Sequence, residues 1–347
     1  MAKMDALVKR YPARGLELEQ VDIPVLGENE ALVKIKKTAI CGTDLHIYNY
    51  DEWTAKTVPI PMVIGHEFVG EIVEIKGKSE RHFKVGDIVC AEGHITCGNC
   101  RACRAGRLHL CPNTKGIGVN RQGIFAQYAA IPLANLWLTD NNISQEMYSI
   151  FDPFGNATHT ALTYNLVGED VLIIGAGPIG IMAAAISCHV GARNVVITDV
   201  NQYRLDLAKK VAPRAIVVDT TKTSLHHVQK EIGMTEGFDV GMEMSGNKYA
   251  FAEMIDNMIM GGNVALLAMP KADTQVDWNK VVFGALNIKG IYGRKIFETW
   301  HAMTSMLQSG LDISSVITHR FDYKDYIQGF ELMDKAQCGK VILNWEK

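Results

Sequence analysis

Four thiols in one short stretch carry the most legible chemistry in this chain. Cys97, Cys100, Cys103 and Cys111 follow a C-x2-C-x2-C-x7-C spacing inside 15 residues, which brings four thiolates within reach of one tetrahedral ion. With every position filled by sulfur, such an ion is a structural Zn2+ that pins a lobe and does no chemistry. A ferredoxin-type cluster is the rival, because Cys111-Pro112 ends the run. Ferredoxins, however, place three residues before their last cysteine, not seven. Zinc is therefore expected, and visible absorbance separates the two.

Other donors are dispersed. Cys41 lies in Ile40-Cys41-Gly42-Thr43-Asp44, His66-Glu67 follows Gly65, and Asp152 lies in Phe151-Asp152-Pro153-Phe154-Gly155. Spacing alone does not bring these together. Taken singly they read as a buried thiol, a core histidine, a strand glutamate and a turn aspartate. Cys90, Cys188 and Cys338 are scattered too, and eight cysteines in a long chain without a secretion signal read as thiols and ligands rather than disulfides.

Gly175-Ala176-Gly177-Pro178-Ile179-Gly180 matches G-x-G-x-x-G, directly after an apolar run and before an apolar helix pattern. Gly175 permits the tight turn, Gly177 lets a pyrophosphate approach the backbone, and Gly180 lets helix and strand pack closely. Phosphate would then meet free N–H groups at the helix start. Asp199, 19 residues beyond Gly180, can accept from the adenosine ribose hydroxyls and would repel a 2′-phosphate. NAD is thus expected over NADP. Arg204 is arguable as a phosphate ligand, and its expected place is over the adenine plane.

The elements that must position these groups fall into two textures. In the first third, Ala31, Val33 and Ile35 alternate with Leu32, Lys34 and Lys36, and Val69 to Ile75 alternates again; closely spaced Gly and Pro predict short strands in a small irregular barrel. From about residue 155, apolar runs alternate with helical patterns, the signature of βαβ units and a parallel sheet. Strands are expected at Val171–Ile174, Val195–Asp199, Ala215–Val218, Phe238–Met242, Asn263–Ala268 and Asn287–Ile291. Helices are expected near 178–190, 201–211, 224–232, 248–260 and 298–309, with Met254 to Met260 read as helix packing. From Val316 the pattern returns to a strand, a helix at Tyr326–Ala336 and the strand Lys340–Asn344. Six strands suit a doubly wound nucleotide fold.

The 347 residues carry 35 Lys+Arg against 38 Asp+Glu, a net −3. No basic footprint for nucleic acid or an anionic membrane appears, so the partner is a small molecule. Val171 to Ala192 is uncharged, but Gly175, Gly177 and Pro178 break it into strand, turn and helix rather than a membrane span. The start, Met1 to Arg10, has no apolar leader, so the expected location is cytoplasmic.

In order and spacing, Gly65-His66-Glu67, Val85-Gly86-Asp87-Ile88-Val89, the four-cysteine lobe and the Gly175 turn resemble the zinc-dependent medium-chain dehydrogenases. Lys37 through Asn49, Gly93 through Gly98, Phe151 through Ala157 and Gly290 through Arg294 draw the resemblance toward the members that oxidise L-threonine. It covers essentially the whole chain. The implied fold is α/β: a GroES-like β-rich catalytic domain (1–150, with the structural zinc lobe at about 93–115), a Rossmann domain (151–296), and a C-terminal segment (297–347) returning to the catalytic domain. Cys41 and His66 are the implied ligands of a catalytic Zn2+, with Glu67 and Asp152 competing for the carboxylate role. Thr43 and His46 match the family's proton relay.

Leu267, Ala268, Met269, Ile291 and Tyr292 join Gly175, Gly177, Ile179, Gly180, Asp199 and Arg204 as implied cofactor contacts. The segment Leu266-Leu267-Ala268-Met269-Pro270 is implied to face the nicotinamide, with Ala268 where this branch commonly has glycine. On charge alone, Glu67 or Asp152 would face the substrate ammonium and Arg294 its carboxylate. The implied reaction is oxidation of the 3-hydroxyl of L-threonine with NAD by a homotetramer. A polyol or secondary-alcohol dehydrogenase of the sorbitol or butanediol type is the enzymatic alternative, and a non-catalytic NAD-binding relative is the alternative from another class.

Overall fold

The computed structural model describes residues 2–78, 82–269 and 274–346. Two compact units form, Met1–Asp152 with Ile317–Lys347, and Pro153–Val316.

In the first unit, the described residues build a three-stranded sheet (Glu17–Asp22, Lys3–Lys9, Met62–Val63) and a seven-stranded sheet, in place of a single small barrel. An isolated bridge between Ala6 and Ala126 joins segments near them. Strand Glu30–Ala39 is the hub of the larger sheet, pairing antiparallel with Glu67–Lys76, Tyr128–Pro132 and Lys340–Asn344. Its register decides what meets at its end. Ala39 faces Glu67 on one side and Ile342 on the other, so Cys41, the start of Glu67–Lys76 and the start of Lys340–Asn344 are neighbours despite their separation in sequence. Val33, Ile35, Phe68, Ile72 and Val341 are buried beneath them, each such side chain contributing roughly 1.5–3 kcal/mol.

The second unit holds six parallel strands in the spatial order Ile216–Asp219, Asn194–Asp199, Asp170–Ile174, Phe238–Glu243, Met258–Leu266, Asn287–Gly290. This is the doubly wound order whose switch point lies between the strands Asp170–Ile174 and Phe238–Glu243. The uncharged stretch divides as the glycines require, into the buried strand Asp170–Ile174, a turn, and helix Pro178–His189. Among the described residues no helix is long and apolar enough to cross a membrane.

Two expectations are corrected. The helix expected at 248–260 stops at Asp256, and Met258 opens a strand that ends at Leu266, two residues before the Ala268 expected. Met258 and Met260 are therefore strand residues, and Met260 is exposed. A short apolar run reads equally as helix or strand; here Met258 pairs with Phe238 in the sheet. The chain also re-enters the first unit at Ile317 and not at 297, because helix Glu298–Gln308 buries Trp300 and Met303 in the second unit and the turn Ser314–Val316 packs on helices Pro178–His189 and Gln202–Val211.

Candidate active site

The first unit gathers the dispersed donors. Gly65, at φ +90°, turns the chain into His66, and a Cβ there would lie 2.2 Å from the Phe125 ring, so only glycine fits. Cys41 caps helix Gly42–Asn49, with Asp44 Oδ2 accepting from the Cys41 N–H at 2.9 Å. One donor atom from each of Cys41, His66 and Glu67 lies within 4.8 Å of the others. Asp152, at the first turn of helix Phe151–Ala161, is buried, and its charge acts on Asp44, His66 and Glu67, yet it stands outside that triplet.

The electrostatics of this pocket are strained toward a cation. Burial pushes the carboxyls of Asp44 and Glu67 up. Burial opposes the charge of His66, but Asp44 and Cys41 outweigh it and raise its pKa well above the ordinary histidine value. Lys340 Nζ sits 2.7 Å from Glu67 Oε2 and donates to the Ile40 carbonyl at 2.7 Å. Burial would lower Lys340, yet Glu67 and Cys41 keep it above the ordinary value. Asp44 Oδ1, His66 Nδ1 and Glu67 Oε1 are buried without a hydrogen bond among the described residues, a costly state unless a ligand satisfies them. One thiolate, one imidazole and one carboxylate are a donor set that suits Zn2+. The residues present fit the ion.

Thr43 and His46 share one face of helix Gly42–Asn49, the threonine half-buried and the histidine exposed. His46 Nδ1 is 2.6 Å from Asp51 Oδ2, while Asp51 Oδ1 accepts from the Thr54 N–H and hydroxyl at 2.9 Å as it caps helix Glu52–Thr57. Asp51, Asp44 and Lys340 escaped the sequence reading. Asp51 carried a visible signal, a capping aspartate three residues before Thr54, whereas Lys340 carried none.

The lobe is self-contained. Donor atoms of Cys97, Cys100, Cys103 and Cys111 all lie within 4.8 Å of one another. Cys100 accepts from the Cys103 N–H at 3.5 Å, and Cys97 from Asn113 at 3.7 Å. The Asn99 N–H, then Asn113 and the Cys100 N–H, bring the Cys97 thiol down to about 6, whereas burial pushes Cys103 up to about 11. No cysteine is in a disulfide.

In the second unit the three fingerprint glycines answer to different demands. A Cβ at Gly175 would lie 3.0 Å from the Met244 carbonyl carbon, and one at Gly180 would lie 2.0 Å from the Gly175 carbonyl. A Cβ at Gly177 would meet nothing within 4 Å, leaving its backbone open to a phosphate at the start of helix Pro178–His189, beside Ile179. Asp199 ends its strand with Oδ2 accepting from the Ala176 N–H at 2.8 Å and Oδ1 from Val200 and Asn201. Arg204 lies 3.8 Å from Asp199. These features fit a dinucleotide. Leu267 and Ala268 follow the fifth strand, Met269 is exposed, and Ile291 donates to Leu266 O at 2.9 Å with Tyr292 exposed next to it. Pro270, the last residue of the expected nicotinamide segment, lies outside the described residues. Arg294 is 2% exposed and packs within the second unit against Gly155.

The alcohol dehydrogenase GroES-like domain matches residues 27–141, and the zinc-binding dehydrogenase domain matches 178–309. The L-threonine 3-dehydrogenase of Shewanella baltica is 61% identical over 99% of this chain and 100% of its own, and that of Vibrio vulnificus 59% over the same shares. The chain belongs to the zinc-dependent medium-chain dehydrogenases, on the L-threonine 3-dehydrogenase branch. Solved dehydrogenases share its architecture at low identity. An Escherichia coli alcohol dehydrogenase solved with NADH superposes with a TM-score of 0.89 at 25% identity, covering 99% of this chain and all of that one. The 2R,3R-butanediol dehydrogenase of Bacillus subtilis gives 0.88 at 23%, with the same coverage, and speaks for the fold alone.

Proposed function

We propose that this chain is an NAD- and zinc-dependent L-threonine 3-dehydrogenase, oxidising the 3-hydroxyl of L-threonine to give 2-amino-3-oxobutanoate. The observation that carries this reading is the full-length identity of about 60% to L-threonine 3-dehydrogenases, joined to a Cys41–His66–Glu67 triplet suited to zinc.

Bound zinc supplies Lewis acidity toward an alcohol oxygen, and bound NAD supplies a two-electron acceptor. Cys41, His66 and Glu67 would hold the metal, with the Asp44 carboxyl 3.6 Å from His66 Nδ1. The substrate hydroxyl must also lose a proton. Thr43 Oγ1 takes it and passes it outward toward the imidazole of His46 on the same helix face. Asp51 holds Nδ1 of that imidazole, which leaves Nε2 as the atom that exchanges with water. Asp152, outside the triplet, is the carboxylate for the substrate ammonium. Asp199 and Arg204 take the adenosine end of NAD, and Gly175, Gly177 and Ile179 its pyrophosphate.

The reading extends to a homotetramer in the cytoplasm. Helix Trp278–Phe283 exposes Trp278, Val282 and Phe283 just before the edge strand Asn287–Gly290, a surface suited to a second copy. Eight cysteines with no disulfide among them suit a reducing compartment. The test is NADH appearance with L-threonine, sorbitol or 2,3-butanediol as substrate. Threonine-dependent NADH formation is expected, and activity on the polyols without threonine would select the polyol alternative.

A further inference from the structure

Glu243 took no part in the sequence reading, yet it sits where the second unit is most constrained. It ends the strand Phe238–Glu243, in register with Ile174 of the neighbouring central strand, on the carboxyl side of the switch point where doubly wound sheets bind their ligand. Its side chain is 1% exposed. Oε1 accepts from the N–H groups of Ser245 and Gly246, both at 2.9 Å, and from the Ser245 hydroxyl. Its main-chain carbonyl accepts from Leu267 and Ala268 at 3.1 and 3.2 Å.

The turn so held is in turn a wall for two others. A Cβ at Gly175 would lie 3.0 Å from the Ser245 nitrogen, and one at Gly246 would lie 3.0 Å from the Met269 carbonyl. One residue thus ties together the Gly175 turn, the Ser245–Gly246 turn and the Leu267–Met269 segment. Gly175 backs the pyrophosphate approach, and Leu267–Met269 is the segment assigned to the nicotinamide.

We propose that Glu243 is a positioning residue for the dinucleotide, its Oε1 latching the Ser245–Gly246 turn so that the Gly175 turn and the Leu267–Met269 segment are held at the spacing NAD requires. The latch works through Oε1 as the acceptor of the Ser245 and Gly246 donors. Oε2 is buried with no hydrogen bond among the described residues, and burial pushes the carboxyl up against the pull of the Ser245 and Gly246 donors. A glutamine places an amide oxygen where Oε1 accepts, whereas an aspartate keeps a carboxyl but is one methylene too short.

The proposal rests on the NAD reading, and the test separates the two. NADH binding is titrated by fluorescence on the zinc-loaded wild type and on Glu243→Gln, Glu243→Asp and Glu243→Ala, with thermal midpoint, KM for NAD and KM for threonine measured alongside. Expected are affinity within about twofold of wild type for Gln, a loss of roughly tenfold for Asp and Ala, and a KM rise confined to NAD. Should Ala fail to fold, the Gln and Asp pair decides. Asp binding like wild type while Gln does not, or all variants binding alike with only the thermal midpoint lowered, overturns the latch. Failure of the wild type to bind NADH overturns the NAD reading instead.

Discussion

The first unit contains two donor clusters built on opposite plans. The lobe at Cys97–Cys111 draws all its donors from 15 consecutive residues, uses one atom type, and leaves Cys97 and Cys100 half-exposed. The triplet of Cys41, His66 and Glu67 mixes three atom types, is backed by buried Asp44, Asp152 and Lys340, and depends on two strand registers that set Ala39 against Glu67 and Ile342. The first plan closes a coordination sphere with protein alone, which suits a structural ion; the second leaves a place for a substrate oxygen. A site made for chemistry is thus the one whose parts arrive from distant segments.

If that contrast is right, damage to the two clusters must separate. The largest effect is expected for Cys41→Ser. Losing several kcal/mol of Lewis-acid assistance lowers kcat/KM by roughly 10³-fold or more, while metal analysis still finds the lobe's zinc and NADH titration shows unchanged affinity. His46→Asn breaks only the outward proton path and should cut turnover by about 10- to 100-fold, below or at the low end for general acid–base catalysis, with the NADH affinity read by titration unchanged. Cys97→Ser should invert the pattern. One zinc is lost and the thermal midpoint falls, but kcat/KM per folded molecule changes by less than about tenfold.

The smallest effect sharpens the comparison from the sheet side. Arg320 donates to Glu146 at 2.8 to 3.0 Å and holds its carboxyl below the ordinary glutamate value against the opposing effect of burial. A lowered folded-state pKa gives stability that is present above the unfolded value and is lost as pH falls through the folded one. Arg320→Ala should therefore cost about 0.5 kcal/mol at pH 7 for this half-exposed pair and progressively less as pH falls below the ordinary glutamate value, as read by denaturant unfolding.

Legibility followed the same division. The lobe could be written down from its spacing because a metal site inside 15 residues is a local object. The parallel sheet was equally readable, since buried strands such as Asp170–Ile174 are unbroken apolar runs closed by Gly175. Where the reading failed, local signals were shared between states: Met258–Met260 suits helix and strand alike, and only pairing with Phe238 decided it. Spacing alone could not assemble the triplet, whose members only the resemblance implied, and nothing near Lys340 states that it will reach Ile40 and Glu67. That fact lives in the register of strand Lys340–Asn344 against Glu30–Ala39. Glu243 was hidden for a similar reason. A lone glutamate at a strand end looks solvated until the N–H groups of the Ser245–Gly246 turn are folded onto it.

The central claim is that Cys41, His66 and Glu67 hold a zinc ion that is distinct from the lobe's and needed for threonine oxidation. The direct measurement is zinc per chain during stepwise chelation, followed beside threonine-dependent NADH formation. Two ions at the start are predicted, with activity disappearing as the first leaves and returning when zinc alone is added, while the second resists removal. Full activity in a chain from which the first ion has gone would contradict the account.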